Sequence, residues 1–248
     1  MKEFIFDSRN GVHIIDLSKT LVQLQAACDF LADVVGKGGQ ILFVGTKKQA
    51  QEAVKETAKT GGQAFVTERW LGGTLTNMKT VKRSLGRLKE IEKMESDGSI
   101  NNYVKQEQSM LRRELARLVK NLDGIRAMDK LPAAMFIVDL KREKNAVAEA
   151  RRLKIPVAAI VDTNCDPELT DYPVAGNDDA IRSVRLILSV VAQTVTRARA
   201  EYEAKHARRK PEDEKESPAA PPVEVAASAT VPPPAPLPDA PAATPAVG

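Results

Sequence analysis

Four short apolar runs along the chain lack the alternation of polar and apolar residues that marks a half-exposed strand. They are residues 41–44, 64–67, 134–138 and 157–161. Three of them are followed directly by Gly45, Asp139 and Asp162. Strands of a parallel sheet that is covered on both faces show such unbroken aliphatic stretches. The runs therefore predict four buried strands.

Helical periodicity fills the stretches around these runs. Apolar residues recur at helical spacing over 17–35, 48–59, 144–154 and 180 to about 202. Strands that alternate with helices form a parallel sheet with right-handed crossovers. The pattern predicts an α/β fold with an open, doubly wound parallel sheet of the flavodoxin or Rossmann kind.

Residues 78–130 show helical periodicity without any strand pattern. After the turn signal at 96–99, apolar residues step by four, three, four and three along Leu111, Leu115, Leu118, Leu122 and Ile125. That spacing is the seam of a coiled coil. We expect an antiparallel coiled-coil αα-hairpin inserted into the α/β body.

The remaining composition divides the chain into an α/β body and a tail. Eleven of the fifteen prolines lie at or after Pro211, among alanines and acids. Such a segment has too little apolar bulk to offset its ordering entropy. We predict a body over 1–77 and 131–208, the hairpin over 78–130 and a disordered tail over 209–248.

Charge is distributed unevenly along the chain. The net charge is +4, but the part from Pro211 onward carries −5, which leaves +9 for residues 1–210. This distribution suits a polyanionic partner, although it is equally typical of a soluble protein with excess lysine.

The sequence also indicates a compartment. Cys28 and Cys165 lie far apart and form no CxxC pattern, so they predict neither a disulfide framework nor a zinc knuckle. No run approaches the roughly 20 apolar residues that span a bilayer, and no signal peptide is visible. We expect a cytoplasmic protein without a membrane partner.

Motifs that suggest an enzyme are incomplete. Gly45-Thr46-Lys47 resembles a phosphate-binding turn, but the second glycine of a P-loop is missing. The glycines before residue 41 precede the strand, whereas a dinucleotide fingerprint follows it. His13 and His206 are the only histidines, and His13 fits a partly buried structural position better than a catalytic base. An enzyme acting on a nucleotide or sugar phosphate is therefore the rival hypothesis, and a coiled-coil adaptor is a third.

The glycine-rich stretch 69–77 leaves two interpretations open. Trp70 could pack the loop from within, or Arg69 and the loop amides could face phosphate, with glycine permitting close approach. Thr74, Thr76 and Asn77 are candidate caps of the following helix. The candidate RNA-binding residues are Lys47, Lys48, Arg69, Trp70, Gly72, Gly73, Thr74, Asn77, Lys79, Lys82 and Arg83.

Acidic residues cluster where doubly wound sheets bind ligands. Asp139 and Asp162 follow strands, and further aspartates lie in later loops. Their oxygens suit Mg²⁺ or another hard cation, but acids before a helix also serve as caps. The candidate metal ligands are Asp162, Asp166, Asp178 and Asp179.

Five strings of residues resemble one known family. They are 11–17 (GVHIIDL), 41–50 (ILFVGTKKQA), 69–77 (RWLGGTLTN), 161–167 (VDTNCDP) and 176–182 (GNDDAIR). They stand in the order in which the bacterial ribosomal protein S2 family has them, across nearly all of residues 3–200. The family also has an upstream Gly-His-Phe-Gly-His type motif, so we expect a late start or a truncation at Met1.

The resemblance implies both a fold and a function. It implies an α/β body with a protruding coiled-coil hairpin and no catalysis or cofactor. It also implies a structural constituent of the small ribosomal subunit that contacts ribosomal RNA and neighbouring small-subunit proteins. The family further helps to recruit ribosomal protein S1. The role of the Pro- and Ala-rich tail does not follow from the resemblance.

Overall fold

A computed structural model describes residues 1–213 of the chain, with side chains as far as His206. The part of the predicted tail from residue 214 onward lies outside the described residues. Its predicted disorder stays a prediction.

A five-stranded parallel sheet forms the centre of the body. Its strands are β3 (Ile41–Val44), β4 (Ala64–Val66), β5 (Ala134–Val138), β6 (Val157–Val161) and β7 (Tyr172–Ala175). They lie side by side in the order β4-β3-β5-β6-β7. In register, Phe43 pairs with Phe65 on one side and with Phe136 on the other. The predicted parallel α/β sheet is confirmed.

Helices cover both faces of this sheet. On one face lie α1 (Leu17–Gly36), α2 (Lys48–Gly61) and α6 (Ile181–Asp213), packed against side chains such as Phe43 and Phe136. On the other face, α5 (Lys144–Arg152) packs against side chains such as Leu42 and Met135. Consecutive strand residues point to opposite faces, so each apolar run serves both layers. Burial on both sides explains why the runs show no alternation.

The structure adds one element that the sequence pattern did not predict, and it contradicts one prediction. A two-stranded antiparallel sheet precedes α1, formed by β1 (Ile5–Arg9) and β2 (Val12–Ile15). Asn10 and Gly11 join the strands with φ of 51° and 77°, the positive values that a tight hairpin turn requires. His13 lies on this hairpin and is exposed, so the prediction of a partly buried structural histidine was wrong.

Two long helices connect β4 to β5 in place of a single crossover. They are α3 (Met78–Ser96) and α4 (Lys105–Leu122), joined by a short 3-10 turn at Ser99–Asn102. Asn77, one of the three candidate caps, caps α3 by accepting a hydrogen bond from the Thr80 amide. The base of this segment, including Val81, Leu122 and Ile125, packs into the apolar cluster on the α5 face of the sheet.

The final helix is longer than the sequence pattern predicts. Helix α6 begins at Ile181 and continues to Asp213, past the boundary predicted near residue 208. Over residues 1–213, no helix is both long and apolar enough to cross a membrane.

Candidate functional site

The strand order defines the point at which sheets of this kind bind ligands. β3 and β5 are neighbours, but α2 follows β3 on one face and α5 follows β5 on the other. Open α/β sheets bind ligands in the crevice outside the carboxyl ends of two such strands. In this chain, the segments 45–47 and 139–143 leave the two strands there.

Lys47 lies in this crevice among three carboxylates. Its Nζ is 2.6 Å from an oxygen of Asp178, 2.6 Å from one of Asp179 and 3.5 Å from one of Asp139. Asp139 has a left-handed backbone, with φ of 68°, and its other carboxylate oxygen accepts a hydrogen bond from the Arg142 amide. The side chain of Lys47 is only 13% exposed. A cation that belongs to the chain itself therefore occupies the crevice.

The two central partners of this cluster respond differently to burial. Burial disfavours the charged form of Lys47, but hydrogen bonds to Asp178 and Asp179 outweigh it and raise the lysine pKa. Burial, opposed by Lys47 and reinforced by Asp139 and Asp162, raises the pKa of Asp178 to about 6. The ion pair thus favours the charged form of Lys47. For Asp178, the cost of desolvating the carboxylate outweighs its attraction to Lys47. Asp178 therefore depends on Lys47 to stay ionised at neutral pH.

A second set of polar contacts joins the two strand ends. Glu143 is buried and accepts hydrogen bonds from the Thr46 hydroxyl and from the Thr46 amide, the latter at 3.2 Å. Arg142 Nε donates to the same hydroxyl oxygen at 2.8 Å. Burial raises the pKa of Glu143 in spite of these contacts. The turn that resembled a phosphate-binding loop is thus bonded to the chain's own side chains.

The glycine-rich loop is bound by Glu149 of α5. One carboxylate oxygen accepts from Trp70 Nε1 at 3.0 Å and from the Gly73 amide at 2.8 Å. The other accepts from the Leu75 amide at 3.0 Å and from the Thr76 amide at 3.1 Å. Gly73 has φ of +89°, a conformation that L side chains rarely adopt. Three loop amides that could have faced a phosphate are therefore directed at an internal carboxylate.

Hydrogen bonding controls the charge of Glu149. Partial burial favours the neutral acid, but the bonds from Trp70 and the loop amides outweigh burial and lower the pKa of Glu149 below 4.5. Glu149 is therefore an anion at neutral pH.

The structure separates the predicted RNA-binding residues into two groups. Lys47, Trp70, Gly73 and Thr74 are buried or engaged in the internal contacts of the crevice and the loop. The other seven candidates are exposed: Lys48, Arg69, Gly72, Asn77, Lys79, Lys82 and Arg83. For Trp70, the interpretation as a residue that packs the loop from within is the one the structure supports. A phosphate contact by Lys47 would require breaking three ion pairs, which argues against that assignment.

Three of the four predicted metal ligands lie together. Ligand oxygens of Asp162, Asp178 and Asp179 lie within 4.8 Å of one another, whereas Asp166 caps the short 3-10 turn Pro167–Leu169. Asp178 and Asp179 also lie just before α6, where negative charge is favourable, although neither carboxylate accepts a hydrogen bond from a backbone amide within residues 1–206. Asn177 instead accepts hydrogen bonds from the amides of Asp179 and Ala180.

Sequence reasoning missed Glu143 and Glu149. Glu149 is the only acid of α5 and lies one turn from Ala146 and beside Ala150, both of which are fully buried. A charge next to the apolar face of a helix was the available signal, because such a charge needs a partner. The partners themselves lie more than 70 positions away in sequence.

The chain's own side chains thus fill the crevice and bind the glycine-rich loop from within, an arrangement that suits a structural protein. Comparison with known proteins gives the family. A family model described as ribosomal protein S2 matches residues 1–198. A relative from Solidesulfovibrio magneticus, named small ribosomal subunit protein uS2, is 50% identical over 230 residues, which are 93% of this chain and 88% of the relative.

Two further relatives carry the same name. The one from Sorangium cellulosum is 53% identical over 192 residues, covering 77% of this chain and 69% of the relative. The one from Desulfovibrio desulfuricans is 53% identical over 193 residues, covering 78% and 75%. The chain belongs to the ribosomal protein S2 family, and therefore to the structural, non-enzymatic proteins of the translation machinery.

Proposed function

We propose that this chain is a structural constituent of the small ribosomal subunit, located on the ribosome in the cytoplasm, where it binds ribosomal RNA. The observation that carries the RNA-binding part is the distribution of cations over the surface. Of the candidate contacts, Arg69, Lys79, Lys82 and Arg83 are exposed and form no ion pair within residues 1–206. Cations left free in this way suit a polyanion, whose phosphates dominate the affinity of RNA-binding proteins.

We also propose that the chain contacts neighbouring ribosomal proteins and supports the recruitment of ribosomal protein S1. Membership in the family supports this part. Exposed apolar patches often mark sites of protein contact, and large apolar side chains are exposed at the start of the chain. They are Phe6, Val12, Leu17, Leu21 and Val22, each at least 67% exposed.

Helices α3 and α4 would then form the coiled-coil arm that the sequence pattern predicts. Ion pairs connect the two helices, from Arg87 to Glu114 and from Arg112 to Glu95. Leu88 and Ile91 of α3 are fully buried, yet they belong to neither of the apolar clusters on the sheet faces. These contacts support a seam that the two helices share.

Sedimentation of the tagged full chain tests the function. In low salt with magnesium, we expect the chain to co-sediment with small subunits, and we expect rising salt to release it steeply because phosphate contacts displace counterions. RNase should abolish the association. Subunits lacking the chain should also carry less S1. A chain that stays at the top of the low-salt gradient would contradict the ribosomal assignment.

A divalent cation at Asp162, Asp178 and Asp179 stays a proposal. Asp178 Oδ2 is buried without a hydrogen-bond partner among the described residues, which supports it. Binding would require the Lys47 ammonium to withdraw from the two carboxylates that it contacts. We expect Mg²⁺ or Ca²⁺ to raise the melting temperature of the wild type and not of Asp162→Asn. An equal change in the melting temperatures of the two proteins would contradict the proposed cation site.

A further inference from the structure

A groove of about 600 Å³ lies along one face of α4. It is lined by Arg87 of α3, by Tyr103 and by side chains of α4. Tyr103 is 43% exposed and Met110 is 68% exposed, although both side chains are large and hydrophobic. Surface that combines tyrosine, methionine and arginine is typical of protein interfaces. The groove therefore suits a peptide segment.

The groove also contains arginines that no acid of the described structure neutralises. Arg87 pairs with Glu114 across the two helices. Arg113 and Arg117 are exposed and form no ion pair within residues 1–206. Against these two cations stands one unpaired acid of the groove in the same part of the chain, Glu107. The groove therefore favours an anionic segment.

The tail of this chain contains a segment with both properties. Residues 231–239 read VPPPAPLPD, and the part of the chain from Pro211 onward carries −5. Proline-rich segments favour the polyproline II helix, with three residues and about 9 Å per turn, and they bind aromatic-lined grooves in that form. Pro233, Pro236 and Asp239 are three residues apart, so they would share one face of such a helix. That face would present two prolines and one carboxylate.

The repeat of this face matches the repeat of the groove. Met110 and Arg117 are seven residues apart, which is about 10 Å along α4, and Tyr103 lies seven positions before Met110. The two prolines and the aspartate of the tail would follow one another at intervals of about 9 Å. The prolines can therefore lie on Tyr103 and Met110 while the aspartate reaches Arg117.

The preceding part of the tail is long enough to bring the segment to the groove. Helix α6 ends at Asp213, and the twenty positions from there to Pro233 extend to at most about 70 Å. By comparison, α3 is about 28 Å long and β5 about 17 Å long. A chain of this length can cross the sheet and reach the outer part of α4.

We propose that residues 231–239 of the chain's own tail dock in the groove along α4 in the free protein. The two prolines cover Tyr103 and Met110, and Asp239 pairs with Arg117. A proline-rich segment loses little conformational entropy on binding, and its attachment to the same chain supplies an effective concentration of about a millimolar. The inference is independent of the proposed ribosomal function.

Photo-cross-linking of the purified full chain tests the contact. A benzophenone amino acid takes the place of Met110, and mass spectrometry of the digested protein locates the cross-links after irradiation. We expect them to fall mainly in residues 231–239. The control carries the same group in place of Ala116, which is exposed about 120° around α4 from Met110, and should give few cross-links to the tail. An absence of tail cross-links from position 110, or equal numbers from both positions, would overturn the proposal.

A mixture of isotopes identifies the chain that supplies the segment. Unlabelled and nitrogen-15-labelled protein are mixed in equal amounts before irradiation. A tail that docks on its own chain gives cross-linked peptides of a single isotope. Mixed pairs in statistical proportion would mean that a second copy supplies the segment, and the proposal of an internal contact would then be wrong.

Exchange of the charges in the proposed ion pair provides a matched set of variants. Arg117→Glu and Asp239→Arg each bring like charges together and should lower the cross-link yield from position 110 about threefold. The double variant restores opposite charges and should recover the wild-type yield. Lys105→Glu reverses an exposed charge of α4 that does not line the groove, so it should leave the yield unchanged. A double variant that stays as low as the single variants, or an equal loss with Lys105→Glu, would overturn the proposed docking.

Discussion

Replacement of Glu149 by alanine is expected to lower the free energy of unfolding by about 3 kcal/mol. The change removes the acceptor of hydrogen bonds from Trp70 and from three loop amides. Some of these donors would be left buried without a partner, and hydrogen bonds to a charged group are worth more than neutral ones. Urea unfolding of the purified full chain measures the loss.

Glu56→Ala is the matched control for that change. Glu56 is an exposed helical glutamate whose side chain forms no ion pair within residues 1–206, so its removal should cost less than about 0.5 kcal/mol. The pH dependence gives a second check. A depressed pKa contributes stability above the unfolded value of 4.5 and loses it as pH falls below that value. The difference between wild type and Glu149→Gln should therefore be constant near neutrality and shrink below pH 4.5. Equal losses for Glu149→Ala and Glu56→Ala would show that the loop does not depend on this carboxylate.

Replacement of Lys47 by methionine is expected to destabilise the free protein by about 3–5 kcal/mol. Methionine keeps an unbranched apolar stem but removes the ammonium group from between Asp178, Asp179 and Asp139. Asp178 is 1% exposed, so without the ammonium group it must either take up a proton at neutral pH or stay charged without a partner, and both cost stability. Thermal and urea unfolding of the variant, without RNA present, measure the effect.

Lys48→Met controls for the loss of a charge at the start of α2. Lys48 is adjacent, exposed and without an ion pair within residues 1–206, so we expect a small change. Adding Asp178→Asn to Lys47→Met should recover part of the lost stability, because an amide at this buried position carries no charge and needs no proton. If Lys47→Met and Lys48→Met unfold alike, Lys47 is not the cation that holds the crevice together.

The central strands and helices could be predicted because burial determines their sequence pattern. β5 and β6 are fully buried on both faces, and their apolar runs have the observed bounds. β7 was missed because it is a four-residue edge strand that contains Pro173, and a proline usually argues against a strand. The hairpin of β1 and β2 was missed although Asn10-Gly11 is a strong local signal for such a turn.

The site was harder to predict because its contacts join distant parts of the chain. Lys47 was correctly placed at a strand end, but its carboxylate partners lie more than 90 positions away. The sequence could show that a cation and several acids follow the strands. It could not show that they neutralise one another, because that depends on the order of strands in the sheet. The shared face of the exposed cations of α3 could be predicted without the strand order, because helical spacing alone places these residues on one face.

Lysines can be acetylated chemically in the free protein and in assembled small subunits. This comparison tests most directly whether Lys47 is held in internal ion pairs while exposed helix cations bind RNA. Mass spectrometry reports the reactivity of each lysine in both states. We predict that Lys47 is protected in both states, and that Lys82 and Lys89 react in the free protein and become protected in the subunit. Lys55 should serve as a control that reacts in both states. A Lys47 that reacts freely until the subunit assembles, with Lys82 and Lys89 unchanged on assembly, would contradict this account.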